Sequence, residues 1–276
     1  MLTGNLQLTA ETTLIFRIFI AKNMQERSGW QNPIVSEHYA SKVEAELNSD
    51  NYVSKHFYHD PIFLSLLKGS GVGGSVGLDL GCGDMYLANE VKRIIPQSEI
   101  IGMDFPTMIG QRISELGPRV YPVAADATRI PLSSESVDFV YSSLLLHWVE
   151  NHDAVLSEIN RVLKPSGSFI GSTVHPNYFK RGVSVSDDGG KTYNFQPNNL
   201  TQPDIMSVML SENIGPINYF RRPAESYLEA LQKNGFINCA AQAPTTQVLE
   251  GDLWHSVLRK HVTHPRFLFM MGTKHR

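Results

Sequence analysis

The amino-acid sequence predicts an α/β protein built on a doubly wound, mostly parallel sheet of seven strands. Three observations carry that prediction. Apolar strand-like runs alternate with amphipathic helical stretches from residue 76 to residue 174, and the first run, Val76-Gly77-Leu78-Asp79-Leu80, opens directly into Gly81-Cys82-Gly83. The next two runs each finish on an acid, Asp104 and Asp126. Strands that alternate with helices at this spacing make a parallel sheet, because each parallel pairing needs a long crossover. Ligands of such sheets sit at the carboxyl ends of the strands, beside the point where the strand order reverses. Acids and glycines at those ends therefore mark a binding site before its ligand is known.

The elements follow in order. Leu87, Val91 and Ile94 form one apolar helix stripe after the glycine turn, and Pro96 stops it. Glu99 to Met103 is a buried strand closed by Asp104. Pro106 begins a helix with Ile109, Ile113 and Leu116 on one face, ended by Gly117-Pro118. Val120 to Ala124 is the third strand and Phe139-Val140-Tyr141 the fourth; Val155, Ile159 and Val162 line a helix broken by Pro165-Ser166-Gly167, and Ser168 to Val174 is the fifth strand. From His175 to Arg222 the periodicity lapses, and an excursion of that length reads as a functional lid with a short helix around Asp204 to Leu210. Ala224 to Asn234 is a helix stopped at Gly235, and Phe236 to Ala240 and Phe267 to Met271 complete the sheet.

Composition narrows the partners. At 276 residues the chain is expected to form one domain with insertions over residues 24–276, divided into a helical cap (24–70), a core (71–174), the lid (175–222) and a terminal helix with strands (223–276). A net charge of -3 without basic runs argues against nucleic acid and points to a small-molecule partner. Residues 1–23 read as a flexible extension: Arg17 interrupts its apolar stretch, which falls short of the ~20 residues that span a bilayer. No membrane insertion is expected. Cys82 and Cys239 make no disulfide framework, so the expected location is cytoplasmic.

An acid two residues before a G-x-G turn, with further acids closing the next two strands, admits a nucleotide-like cofactor. Tyr86 stands where a dinucleotide fingerprint needs its third glycine, which weakens a nicotinamide reading. Asp79-x-Gly81-x-Gly83, Asp104, Asp126 and Leu146-His147-Trp148 together resemble the small-molecule class I S-adenosylmethionine (SAM)-dependent methyltransferases, a Rossmann-like family that includes ubiquinone and menaquinone biosynthetic enzymes. The resemblance spans residues 76–174. It implies that Asp79, Gly81 and Gly83 surround the methionine part of SAM, that Asp104 accepts both ribose hydroxyls, and that Phe105 stacks on adenine. It assigns Asp126 and Ala127 to the adenine edge, and the backbone at Ser142 and Leu144 to the amino group. Trp30, Pro33 and Tyr39 resemble the amino-terminal helix that closes over SAM. His175-Pro176 with Phe179, and later Arg222-Pro223, Tyr227, Leu231 and Gly235-Phe236, resemble one further branch of the family. Met85 departs from the pattern, standing where the family has a small residue, and is expected to crowd the loop near the sulfur.

Catalytic roles stay open at this point. His147 and His175 are the candidate general bases, and each is equally readable as a packing or turn residue. The pairs His56/His59 and His261/His264 have helical spacing but no accompanying carboxylate-rich or cysteine cluster, so a metal is not expected; Phe57 and Tyr58 read as the buried face of an early helix. Cys82 packs in the loop or reacts there, and Arg221-Arg222 bind a substrate carboxylate or face solvent. The expected activity is methyl transfer from SAM to oxygen or nitrogen of a small metabolite. Carbon methylation of a quinone-like or lipid substrate, and a SAM-binding protein that does not methylate, are the alternatives. Tyr178, Phe179, Tyr193, Phe195, Tyr219 and Phe220 in the excursion serve either the lid over the acceptor or a homodimer contact.

Overall fold

A computed structural model describes residues 54–72, 76–105, 117–178, 183–185, 191–193, 200–208, 217–245 and 265–276. The cap residues Trp30, Pro33 and Tyr39, the helix expected over 106–116, Phe179, Phe195, His261 and His264 lie outside the described residues. Seven strands make the main sheet: β1 (Val76–Leu80), β2 (Glu99–Asp104), β3 (Val120–Ala124), β4 (Val137–Ser143), β5 (Leu163–Val174), β10 (Phe236–Gln242) and β11 (Phe267–Lys274). Their order is β10-β11-β5-β4-β1-β2-β3. The five from β3 to β5 run parallel, and β11 is antiparallel to both of its neighbours. The order reverses between β1 and β4, so the expected switch point is where β1 opens into the glycine turn.

Strand phase sorts the side chains into two apolar layers. Phe139 and Tyr141 of β4, Ile170 of β5 and Phe269 of β11 face one layer, with Phe63 and Leu67 of α1 (Asp60–Gly69) and Leu87 and Val91 of α2 (Tyr86–Ile94). Leu78, Leu80, Val140 and Phe169 face the other, with Val155 and Ile159 of α3 (His152–Val162) and Tyr227 and Leu231 of α4 (Ala224–Lys233). Asn151 caps α3 by accepting the Ala154 N–H at 3.0 Å, a contact worth ~1 kcal/mol. Gly77 makes room for its register partner Phe139: a Cβ there would lie 2.3 Å from the ring.

Three expectations need correcting. The excursion 175–222 holds two antiparallel hairpins, β6 (Val183–Val185) with β7 (Lys191–Tyr193) and β8 (Asp204–Val208) with β9 (Ile217–Arg221), and β8 replaces the short helix expected there. Strands of three to five residues are too short for their periodicity to separate them from a helical turn. β5 begins at Leu163 rather than Ser168, because its register with β4 jumps from Val137↔Leu163 to Phe139↔Ser168 and the turn residues bulge without ending the strand. Gly167 permits this: a Cβ would sit 2.8 Å from the Lys164 carbonyl oxygen. Phe57 is 50% exposed, since the wide π turn Lys55–His59 before α1 turns Tyr58 and His59 inward instead.

Candidate functional site

The turn after β1 is built on positive backbone angles. Gly81 (φ +75°) and Gly83 (φ +54°) both occupy the left-handed region. At Gly81 space adds to the demand, because a Cβ would meet the Leu145 side chain at 3.0 Å. The amides of Gly81 and Cys82 donate to the Met103 carbonyl (2.8 and 3.2 Å), tying the turn to the end of β2. Gly83 N–H donates to Asp104 Oδ2 at 2.8 Å, and Phe105 N–H to Oδ1 at 2.7 Å. Burial raises the Asp104 pKa and these two donors oppose the rise. Each carboxylate oxygen keeps a further acceptor position, which is what a vicinal diol requires.

On the layer covered by α1 and α2, Asp79 is the register partner of both Tyr141 and Gly102. Asp79 Oδ2, Tyr141 OH and Ser143 Oγ are buried there without a hydrogen-bond partner among the described residues. Burial pushes the Asp79 carboxyl up to about 8, and the neighbouring Tyr141 hydroxyl opposes this without closing a well-formed hydrogen bond. Three polar atoms left in this state cost the fold free energy unless a ligand satisfies them. The Met85 backbone is left-handed (φ +63°) and its side chain is directed onto β2, where a Cβ on Gly102 would lie 2.1 Å from Met85 Cε. Gly102 lacks a side chain, and the thioether fills that place, next to its register partner Asp79.

The remaining candidates divide. Asp126 Oδ1 accepts from Thr128 N and Thr128 Oγ1, both at 2.8 Å, and Oδ2 makes no hydrogen bond among the described residues; Ala127 lies between them, half-buried. The Ser142 hydroxyl is already engaged, donating to the Leu80 carbonyl at 2.8 Å on the opposite layer, so only its backbone remains for a ligand. Leu144 adopts a left-handed turn (φ +60°), its N–H shared between the Ser172 carbonyl (3.1 Å) and Ser172 Oγ (3.2 Å). His147 is buried, with Nδ1 2.9 Å from Thr173 Oγ1 and its ring 4.7 Å from that of Tyr219. Burial and the Arg222 charge pull its pKa down to about 3. His175 leaves the end of β5 with Nδ1 accepting the Asn177 N–H at 3.2 Å, so its neutral ring carries the proton on Nε2; burial lowers its pKa too.

Arg221 and Arg222 do not face solvent, at 6% exposure each. Arg222 donates to four carbonyls, those of Leu146 (3.1 Å), Val149 (2.7 Å), Glu150 (2.6 Å) and Phe220 (3.5 Å). Arg221 reaches Asp204 at 3.3 Å and the Pro176 carbonyl at 3.2 Å. The Cys82 thiol is buried, and its pKa is pushed up by burial and by Asp79 and Asp104, which keeps it protonated. No cluster of three or more metal-ligating side chains occurs among the described residues; His56 and His59 both contact Asp60.

Residues 78–171, from the middle of β1 into β5, match the model of the methyltransferase domain family. Over these residues the chain carries a methyltransferase domain of the class I SAM-dependent kind. It is 33% identical over 106 residues to the malonyl-[acyl-carrier protein] O-methyltransferase of Legionella pneumophila, a match covering 37% of each chain. It is 37% identical over 101 residues to the mitochondrial arginine-hydroxylase NDUFAF5 of Homo sapiens, covering 35% of this chain and 28% of that protein. The matched stretch thus spans less than two fifths of either relative. The fold is shared with a SAM-dependent methyltransferase from Mesorhizobium loti (TM-score 0.62, 21% identity, 82% of this chain and 99% of that one). No helix among the described residues is long and apolar enough to cross a membrane.

The arrangement fits the family's cofactor on its own chemistry. Asp104 offers two held acceptors to a ribose, and Asp79 is a buried acid whose Oδ2 has no hydrogen-bond partner among the described residues and could meet a cationic amino-acid end. Sequence reading missed Tyr141 and Ser143, which their two-residue spacing from one another and the register with Asp79 would have placed on one face. It also missed Arg222 as a scaffold and Ser172 as the partner of Leu144, and no local pattern signals either.

Proposed function

We propose that the protein binds SAM and transfers its methyl group to an oxygen or nitrogen of a small metabolite, releasing S-adenosylhomocysteine. The observation that carries this reading is Asp104, whose two oxygens are fixed by separate backbone donors beside the glycine turn. When bound, SAM supplies a methyl group on a sulfonium, a strong electrophile. The chain's contribution is then to orient the two reactants and exclude water. Asp79, Gly81 and Gly83 hold the amino-acid end, Phe105 lies against the adenine, and Asp126 with Ala127 meets the base edge. Ser142 and Leu144 contribute through their backbone, and the resemblance assigns Tyr39, outside the described residues, to the cofactor.

Neither histidine is suited to be a general base. A ring with a pKa near 3 is a poor proton acceptor, and His175 presents Nε2–H, a donor. We assign His147 to packing beneath Tyr219 and His175 to orienting an acceptor oxygen. The hairpins of residues 175–222 cover the acceptor, supported by the T-shaped contact of Trp148 with Tyr219 at 5.1 Å that joins β9 to the turn after β4. The O-methyltransferase named among the relatives supports an oxygen acceptor. A second reading, a SAM-binding protein with another chemistry, is favoured by the comparable similarity of the core to a protein named as a hydroxylase. We place the protein in the cytoplasm, in line with its free cysteines.

Calorimetry with S-adenosylhomocysteine tests cofactor binding: Asp104→Ala should weaken it at least ~10-fold in a folded chain. Wild-type affinity in that variant would sink the assignment. Transfer of isotope from methyl-labelled SAM to a metabolite extract separates the two chemistries.

A further inference from the structure

Asp60, His59 and Ser172 are linked as acid, imidazole and hydroxyl. His59 Nδ1 lies 2.7 Å from Asp60 Oδ1, and Nε2 lies 2.7 Å from Ser172 Oγ. The direction of the protons follows from the partners. Lys55 (3.1 Å) and His56 (3.1 Å) also contact the Asp60 carboxyl. Although burial would raise it, hydrogen bonds from His56 and His59 and the Lys55 charge hold that carboxyl well below the usual carboxylate range. An ionised acid makes Nδ1 the donor, and burial keeps the ring neutral, so Nε2 accepts the Ser172 hydroxyl. Ser172 Oγ in turn accepts the Leu144 N–H at 3.2 Å.

This is not a hydrolytic triad. His59 and Ser172 are both 0% exposed, with the imidazole stacked between Phe63 and Phe269 (ring centroids 5.3 Å in each case), so no substrate reaches the hydroxyl. What the linkage does reach is Leu144, a non-glycine residue at φ +60°, in a strained conformation that persists only where neighbours impose it. Ser172 pairs with Ser143 across β4 and β5, so the Leu144 turn begins beside the Ser143 hydroxyl, which has no partner among the described residues, and next along the strand from Tyr141.

We propose that Asp60, His59 and Ser172 form a positioning relay that fixes the Leu144 turn and so sets the carboxyl end of β4 against the cofactor. The proposal rests on the SAM-binding reading above. It couples the helix entering α1 to the site through side chains that never touch the ligand.

The test compares His59→Leu, His59→Gln and Ser172→Ala in the full chain, measuring S-adenosylhomocysteine affinity, hydrogen exchange of the Leu144 amide, and Tm. Leucine fills the aromatic nest but accepts nothing; glutamine keeps an acceptor near the Nε2 position. His59→Leu and Ser172→Ala should lose about 10-fold in affinity and exchange the Leu144 amide faster, while His59→Gln stays within about 3-fold of wild type. A purely structural role would instead order the variants by Tm, with His59→Leu the most native in binding. Wild-type affinity and exchange in folded His59→Leu and Ser172→Ala would overturn the relay. Failure of the wild-type chain to bind would overturn the SAM reading, and the Leu144 exchange rates would then decide the relay alone.

Discussion

Replacing Asp79 with asparagine should stabilise the ligand-free protein at neutral pH while weakening its hold on SAM. The carboxyl is buried, and burial above all moves its pKa from 3.8 to about 8. An acid harder to ionise in the folded chain than in the unfolded one stabilises fully below the unfolded value, and that contribution is lost as pH rises to the folded value. Between 3.8 and pH 7 the gap of about 3 units amounts to ~4 kcal/mol in favour of the unfolded state. Asparagine escapes that linkage but buries an amide whose donors lack partners, at a cost of ~1–3 kcal/mol. The net gain is ~1–3 kcal/mol, or roughly 2–10 °C in Tm for a chain of this size. The wild-type Tm should fall relative to the variant between pH 5 and 8. A cation bound beside Asp79 lowers its pKa, so SAM binding should release a proton and tighten as pH rises to about 8, with a slope that disappears in Asp79→Asn. Thermal denaturation across pH and calorimetry in buffers of different ionisation heat read both effects. A lower Tm for Asp79→Asn at pH 7, together with an unchanged pH slope of binding, would refute the reasoning.

Gly77→Ala places a Cβ 2.3 Å from the Phe139 ring and should destabilise by ~1–3 kcal/mol, with partial recovery when Phe139→Leu is added; denaturant titration reads the pair. Arg222→Met strips the donors from four carbonyls and should cost ~2–5 kcal/mol by the same measurement, and Arg222→Lys should recover only part because an ammonium lacks the guanidinium's planar fork. A histidine whose folded pKa is lowered to about 3 stays neutral above that value, so the pH profile of kcat/KM should show no limb from His147 between pH 5 and 7. A limb near pH 6.5 that vanishes in His147→Asn would contradict the packing role.

The strand ends of the core were legible because burial leaves an acid few places to sit. Asp79 and Asp104 each follow an apolar run, and within a parallel sheet such residues reach a polar surrounding only at the strand ends, of which the carboxyl ends are where ligands bind. The left-handed turn was legible for a similar reason, since Gly81 and Gly83 carry the conformation that other residues pay most to adopt. The identity of Met85 describes bulk and not direction: the vacancy it fills, at Gly102, lies on the strand next to Asp79. Arg221 and Arg222 misled because isolated arginines are usually exposed, whereas here β9 packs beneath the Leu146–Trp148 turn and its open carbonyls need donors. The His59–Ser172 contact joins residues 113 positions apart, a helix entrance and a strand, which no local pattern relates.

The polar face of the site depends on strand phase more than on residue identity. Tyr141 and Ser143 are two positions apart on β4, and Asp79 is the register partner of Tyr141, so all three turn toward α1 and α2. Ser142 lies between them and does the opposite: its hydroxyl meets the Leu80 carbonyl on the layer of Val140 and Leu78. Two serines side by side thus have different fates, one binding the sheet to itself and one left without a partner beside Asp79. Ser172 continues the same face on β5 opposite Ser143, and from there the His59 contact passes to the helix entrance. A polar row that crosses three adjacent strands in one phase, in a layer otherwise filled by Phe139, Ile170 and Phe269, is costly to bury. Its retention is accounted for if a polar ligand completes the row at Asp79 and the relay completes it at Ser172.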